Sequence, residues 1–183
     1  MKNMRKGILM GVAVLFLCSF PTLKSTAKTE KGTAKINWVT WAQMQEAQKK
    51  NPKKVFVDIY TDWCGWCKRM DKTTFENPLI IQYLNDNFYA IKFDAETKDE
   101  LFFKEKKYGS NGKFNDLAVL LMNNQMSFPT SVYLDEKLTP LTPPIGSYLD
   151  PKQLEVILNY FGSNSQLKVP FNNFEKNFKG QIK

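Results

Sequence analysis

A chain of 183 residues, 43% hydrophobic and 24% charged, carries enough apolar material for one full core. Its formal charge of +8 comes from basic residues scattered among acids rather than gathered with stacking aromatics, which excludes nucleic acid as the reason for the charge. Histidine is absent, so Ser-His and Cys-His couples, imidazole bases and histidine metal ligands are excluded, and proton handling falls to carboxylates, lysines, thiols or water.

The N-terminus has the pattern of a secretory signal: Lys2, Arg5 and Lys6 form a basic start, Ile8 to Phe20 an apolar core, and Ser25-Thr26-Ala27 a small-residue cleavage site. The apolar core is shorter than the roughly 20 residues of a membrane-spanning helix, so residues 1–27 are expected to direct export and be removed rather than stay as an anchor. Cys18 follows the bulky Phe16 and Leu17, where a lipid-attachment site wants small residues. Cleavage after Ala27 leaves 156 residues and takes away Lys2, Arg5, Lys6 and Lys24 with no acid, for a net charge of +4. Two cysteines then remain, half of a four-thiolate zinc site, and no metal is expected.

Residues 28–35 read as a polar, flexible spacer before a domain spanning residues 36–162. Thr40 and Gln43 make a capping-box pattern, with Trp41, Met44 and Ala47 on one face of a helix that runs to Lys50 and ends at Asn51-Pro52. Val55 to Tyr60 is a continuous β-branched and aromatic run, predicting a central strand buried on both faces. Trp63-Cys64-Gly65-Trp66-Cys67-Lys68 follows directly, and a short helix continues to Thr73. Asn77-Pro78 precedes a second helical stretch carrying Leu79, Ile80, Tyr83 and Leu84, and Phe88 to Phe93 predicts a second strand.

Asp99 to Lys107 reads as a charged, exposed helix with Leu101, Phe102 and Tyr108 turned inward. After the loop Gly109-Ser110-Asn111-Gly112, Asn115 to Met122 places Leu117, Leu120 and Leu121 at helical spacing. Phe128-Pro129-Thr130 introduces a third strand, Ser131 to Asp135, and Leu138 to Leu141 predicts a fourth, with Pro140 pointing to an edge. Asp150-Pro151-x-Gln153 starts a last core helix, with Leu154, Ile157, Leu158 and Phe161 on one face and Gly162 at its end. This alternation predicts an α/β fold, a central mixed sheet flanked by helices on both faces. In the tail, residues 163–183, the helical spacing of Phe171, Phe174 and Phe178 among lysines predicts a short amphipathic helix that packs on the domain in preference to docking a partner or a membrane surface.

Two thiols three residues apart at a strand-to-helix junction can open and close a disulfide with little backbone movement, which is a redox device. The competing reading is a structural staple, but a bridge over so short a loop stabilises by only about 2 kcal/mol in the chain-entropy model. Asp58, in the middle of an apolar strand, is expected to have a raised pKa from desolvation, unless it lies at an edge and reaches water. Cys64, at the start of a helix, should have its thiolate favoured by unpaired backbone N–H groups and be the exposed nucleophile.

Residues 36–161 resemble the thioredoxins, in particular exported thioredoxin-like proteins of bacteria. The resemblance rests on Asp58 six residues before Cys64, Trp63 before the first cysteine, Lys92 on the following strand, Phe128-Pro129-Thr130 as a cis-proline loop, and Gly146 before the last core helix. It implies a thioredoxin fold with a helical insertion, residues 110–127, before the proline loop, and a thiol-disulfide oxidoreductase. Cys64 attacks, Cys67 resolves the mixed disulfide, Asp58 takes the Cys67 proton and Lys92 tunes it. Pro129 and the backbone of Phe128 hold a substrate strand beside Gly65, with Trp63 and Trp66 as an apolar collar. The dithiol is its own redox group, so no cofactor is expected. The implied partners are exported proteins with disulfides and a membrane or periplasmic thiol donor, acting on a periplasmic or otherwise exported monomer. Trp66 stands where thioredoxins carry proline and oxidising relatives often carry histidine; it brings no charge to the Cys64 thiolate, which favours a reducing couple. An oxidase or isomerase on the same fold, and a non-catalytic binding module, remain as alternatives.

Overall fold

The computed structural model describes residues 35–183; the signal, the Cys18 reading and all but the last residue of the spacer lie outside the described residues. Helix α1, Trp41–Lys50, carries the full capping box, with the Thr40 side chain accepting from Gln43 N–H and the Gln43 side chain accepting from Thr40 N–H. Strand β1, Lys54–Tyr60, is buried nearly throughout. It pairs in parallel with β2, Phe88–Asp94, and antiparallel with β5, Thr130–Leu134, so β1 is the centre of a mixed sheet ordered β2-β1-β5.

The two faces of β1 feed two cores. Phe56 packs with Ala90 and Tyr133 beneath α3, Pro78–Asn87, and α5, Pro151–Gly162, through Ile80, Leu84, Leu154 and Leu158. Val55, Val57 and Ile59 face the other way, against Trp41 and Met44 of α1 and Leu117 and Leu121 of α4, Asp116–Leu121. Each burial is worth about 1.5–3 kcal/mol for a large apolar side chain, and the alternation along β1 is what divides them. Helix α2, Gly65–Thr73, leaves the C-terminal end of β1 and sends Met70 into the first core.

Two elements differ from the sequence reading. Asp99 to Lys107 is no helix but the hairpin β3, Leu101–Phe103, and β4, Lys106–Tyr108. Its turn residues Lys104 and Glu105 have φ of 49° and 64°, the left-handed pair that a two-residue hairpin demands. Docking explains the choice: Phe103 is buried against Trp41, and the Phe102 carbonyl accepts from Trp41 Nε1 and Gln45 Nε2, both at 2.8 Å. The fourth strand, Leu138 to Leu141, is reduced to isolated bridges, Leu134 with Pro140 and Ser131 with Ile145. Pro140, Pro143 and Pro144 have no N–H to donate, so a regular ladder cannot form along β5 there.

The tail forms a 3-10 turn, Ser165–Leu167, and α6, Phe171–Asn177. Phe171 and Phe174 meet the ring of Tyr160 at 5.2 and 5.1 Å, and Ile182 packs on the same core. The buried carboxylate of Glu155 accepts from Gln181 N–H at 2.7 Å and Ile182 N–H at 3.2 Å.

Candidate active site

The Trp63-to-Lys68 segment falls at the carboxyl end of the central strand, where a chain leaving a sheet for a helix exposes its first unpaired N–H groups. Cys64 is the N-cap of α2, and its Sγ accepts a hydrogen bond from Cys67 N–H at 3.0 Å. The two sulfurs are bonded, with an S–S distance of 2.11 Å and Cα atoms 5.3 Å apart. Cys64 was expected to stand exposed, yet the residue is only 5% accessible and Cys67 2%. The cause is local: the Cys64 sulfur turns inward to its partner and to the Cys67 N–H. Gly65, the first residue of α2, is exposed, and a Cβ there would meet nothing within 4 Å.

Trp63 and Trp66 rise on either side, 57% and 55% accessible. Trp63 is fixed by three neighbours: its Nε1 donates to Glu96 at 2.9 Å, its ring meets Phe128 edge-on at 5.6 Å, and Lys113 Nζ lies 4.6 Å over it. Trp66 lies 5.5 Å from Tyr148, with the Arg69 guanidinium 5.1 Å from its ring. Phe128 is half-buried and also meets Phe114, at 5.5 Å. Lys113 and Phe114 belong to the insertion, which therefore borders Trp63 and Phe128. Asn115 anchors that segment: buried, it caps α4 at Leu117 N–H and donates to the carbonyls of Thr97 and Asp99.

The Phe128-Pro129 peptide bond is cis, and Phe128 enters no backbone hydrogen bond among the described residues. Gly146 runs close to this loop: a Cβ there would meet the Ser127 hydroxyl, which would have to turn aside.

Asp58, within β1, is buried. Lys92, its register partner on β2, places Nζ 2.7 Å from Asp58 Oδ2 and also pairs with Asp71. The ammonium serves Oδ2, while Oδ1 has no hydrogen-bond partner among the described residues. Burial raises the Asp58 pKa to about 6 against the pull of Lys92. Burial works against the charge of Lys92 too, but Asp58 and Asp71 outweigh it and its pKa is raised. The ammonium sits within 4.9–5.5 Å of the ring centres of Phe75, Tyr60 and Trp38, a cation–π cage.

The structure thus places Cys64 and Cys67 at the start of α2, Asp58 and Lys92 side by side on β1 and β2, and Phe128 against Trp63. Sequence reasoning passed over Asp71, Glu96, Arg69, Phe114 and Tyr148. Asp71 alone left a signal, one helical turn after Cys67 on the same face of α2; the others come from loops and helix positions whose approach no local pattern encodes.

A mixed sheet with helices on both faces, cis-proline beside a Cys-x-x-Cys disulfide at a helix tip, and a buried acid in the central strand define a thioredoxin-fold domain of the thiol-disulfide redox type. Residues 21–175 match the Thioredox_DsbH family, described as "Protein of unknown function, DUF255", and the chain belongs to that family. An uncharacterized protein of Caenorhabditis elegans, B0495.5, is 33% identical over 127 residues, 68% of this chain and 16% of its own length. The thiol:disulfide interchange protein DsbD of Pectobacterium atrosepticum is 31% identical over 96 residues, 44% of this chain and 16% of its own. The chain thus spans about one sixth of each of these two relatives. Among solved structures, a thioredoxin-fold protein from Helicobacter pylori superposes with a TM-score of 0.55 at 16% identity, covering 69% of this chain and 84% of that one. DsbH Oxidoreductase superposes at 0.50 and 18% identity, covering 83% and 96%. These two likenesses are of fold.

Proposed function

We propose that this protein is an exported thiol-disulfide oxidoreductase that reduces disulfides of other exported proteins. The observation that carries the reading is the Cys64 sulfur seated at the N-terminus of α2, accepting the Cys67 N–H and bonded to the Cys67 sulfur. Once the pair is reduced, that N–H and the helix dipole favour the Cys64 thiolate. The thiolate attacks a substrate disulfide; a new S–S bond joins Cys64 to the substrate and the other substrate sulfur leaves as thiolate, taking up a proton. Asp58 then takes the proton of the Cys67 thiol. The electron pair left on the Cys67 sulfur displaces the second substrate thiolate and closes Cys64–Cys67. The substrate gains two electrons, the protein loses two, and a thiol donor, membrane-bound or periplasmic, returns them.

The cis-proline loop and the Trp63–Phe128 pair support docking of an extended substrate segment against the free backbone of Phe128. The uncharged Gly65-Trp66 dipeptide supports a reducing couple, and the basic-then-apolar N-terminus supports export. The test is equilibration with glutathione buffers, read by the fluorescence of the two flanking indoles, together with a turnover assay on a disulfide-bonded model protein. The expected potential is about −200 mV or lower, with turnover abolished in Cys64→Ser and arrested at the mixed disulfide in Cys67→Ser. A potential approaching about −120 mV reverses the direction. A Cys64 thiol that alkylates no faster than a free cysteine and forms no mixed disulfide overturns the enzymatic reading.

A further inference from the structure

The row of residues across the sheet at Asp58 contains more than an acid and a lysine. Asp58 lies opposite Lys92 on one side and opposite Ser131 on the other. Ser131 uses both its N–H and its carbonyl on Ile145, each at 2.9 Å, so its backbone groups point away from β1. Asp58 and Ser131 are therefore the narrow, non-hydrogen-bonded kind of antiparallel pair, with Cα atoms about 4.5 Å apart and side chains leaning together on one face. Tyr133, two residues further along β5, points to that same face, its ring held 5.5 Å from Phe56 and 5.1 Å from Phe161.

All three side chains are buried; Asp58 Oδ2 has the Lys92 ammonium at 2.7 Å, while Asp58 Oδ1, Ser131 Oγ and Tyr133 OH have no hydrogen-bond partner among the described residues. Orphaned polar atoms gathered on one buried patch are costly unless they serve one another. A serine hydroxyl can do so for a carboxyl in either protonation state, because its proton rotates: it donates to a carboxylate and accepts from a carboxylic acid. A tyrosine hydroxyl behind it that donates to Oγ turns the serine proton toward Asp58. Burial pushes the Tyr133 phenol well above its ordinary range, which keeps it a donor.

We propose that Ser131, steered by Tyr133, is a positioning residue for Asp58: its hydroxyl holds the carboxylate and follows it through protonation, so that Asp58 can take up and release the Cys67 proton without a buried charge left unsolvated. This rests on the redox reading above. In the step itself the Cys67 S–H bond breaks, an O–H bond forms on Asp58, the electron pair stays on sulfur, and the Ser131 hydroxyl turns from donor to acceptor. The other titratable groups that face Asp58 are Lys92 of β2, Asp71 of α2 and Tyr133 of β5, with Tyr60 next on its own strand.

The experiment is a titration of the Asp58 carboxyl by carbon NMR in the oxidised full chain, where no substrate is needed. Ser131→Ala is expected to raise the midpoint by about half to one pH unit, because the bond donated to the carboxylate is stronger than the one accepted from the acid and its loss costs the charged form more. Ser131→Thr is expected to restore it, and Tyr133→Phe to raise it by a smaller amount. In the protein carrying a preformed mixed disulfide on Cys64, the midpoint for attack by Cys67 moves by the same interval. An unmoved or lowered midpoint in Ser131→Ala, or a rise that threonine does not reverse, overturns the proposal. If Ser131→Ala does not fold, an unmoved midpoint in Tyr133→Phe overturns it equally. A chain that titrates as expected but exchanges no disulfide overturns the redox reading and leaves this role of Ser131 standing.

Discussion

A carboxyl group held 1% exposed and only partly compensated by one lysine makes Asp58 a burden on stability at neutral pH. Its folded pKa, about 6, lies above the ordinary value near 4, so the folded state holds this proton more tightly than the unfolded chain does. The stability from that proton is fully present below about pH 4 and is lost as pH rises through about 6. Asp58→Asn removes the loss. Denaturation followed across pH is expected to show the variant more stable than the parent by about 2–3 kcal/mol at pH 8, with the gain vanishing toward pH 4. Under the proposed mechanism the same change slows Cys67-dependent release of a mixed disulfide at pH 7, on the order of 10²-fold, and abolishes the rise of that rate through pH 6, measured by stopped-flow fluorescence. Asp58 was legible as an acid inside an apolar run. Its neighbour Ser131 was not, because a cross-strand partner exists only once register is set; Asp71 showed only its place on the face of Cys67, since its approach to Lys92 exists once helix and strand pack.

At the level of elements, the insertion meets the residue before the first cysteine, Trp63, and the proline loop at Phe128. Asn115 both caps α4 and closes two loop carbonyls, so Asn115→Ala is expected to cost about 2 kcal/mol, read by chemical denaturation. Phe114 touches Phe128 and adjoins Trp63 through Lys113, yet takes no part in the sulfur chemistry. Phe114→Ala is expected to leave the reduction of a small soluble disulfide unchanged while altering, several-fold, relative rates among folded protein substrates. Equal effects on both classes would show that this wall plays no part in docking. Capped helices such as α1 and α5 were readable because Thr40/Gln43 and Asp150/Gln153 satisfy their own first turns. The hairpin at Leu101–Tyr108 was not, since its charged residues suit an exposed helix equally well and only the contact of Phe103 with Trp41 decides between them.

Across the described residues, the tail is built into the first core rather than appended to it. Truncation after Gly162 removes the rings that cover Tyr160 and the two N–H groups that satisfy Glu155. It is expected to cost about 2–4 kcal/mol and lower Tm by roughly 5–10 °C in a scanning calorimeter; an unchanged Tm would show that the tail carries no load. The sequence by itself determined the apolar central strand, the cysteine pair at the tip of the following helix, the acid six residues before it and the proline loop, because each is a local pattern of spacing, capping or polarity. The inward turn of Cys64, the hairpin, the insertion against Trp63, and Ser131 opposite Asp58 come from packing and register. Those depend on register and on which surfaces meet across the sheet, and such long-range pairings leave no mark in any short stretch of chain.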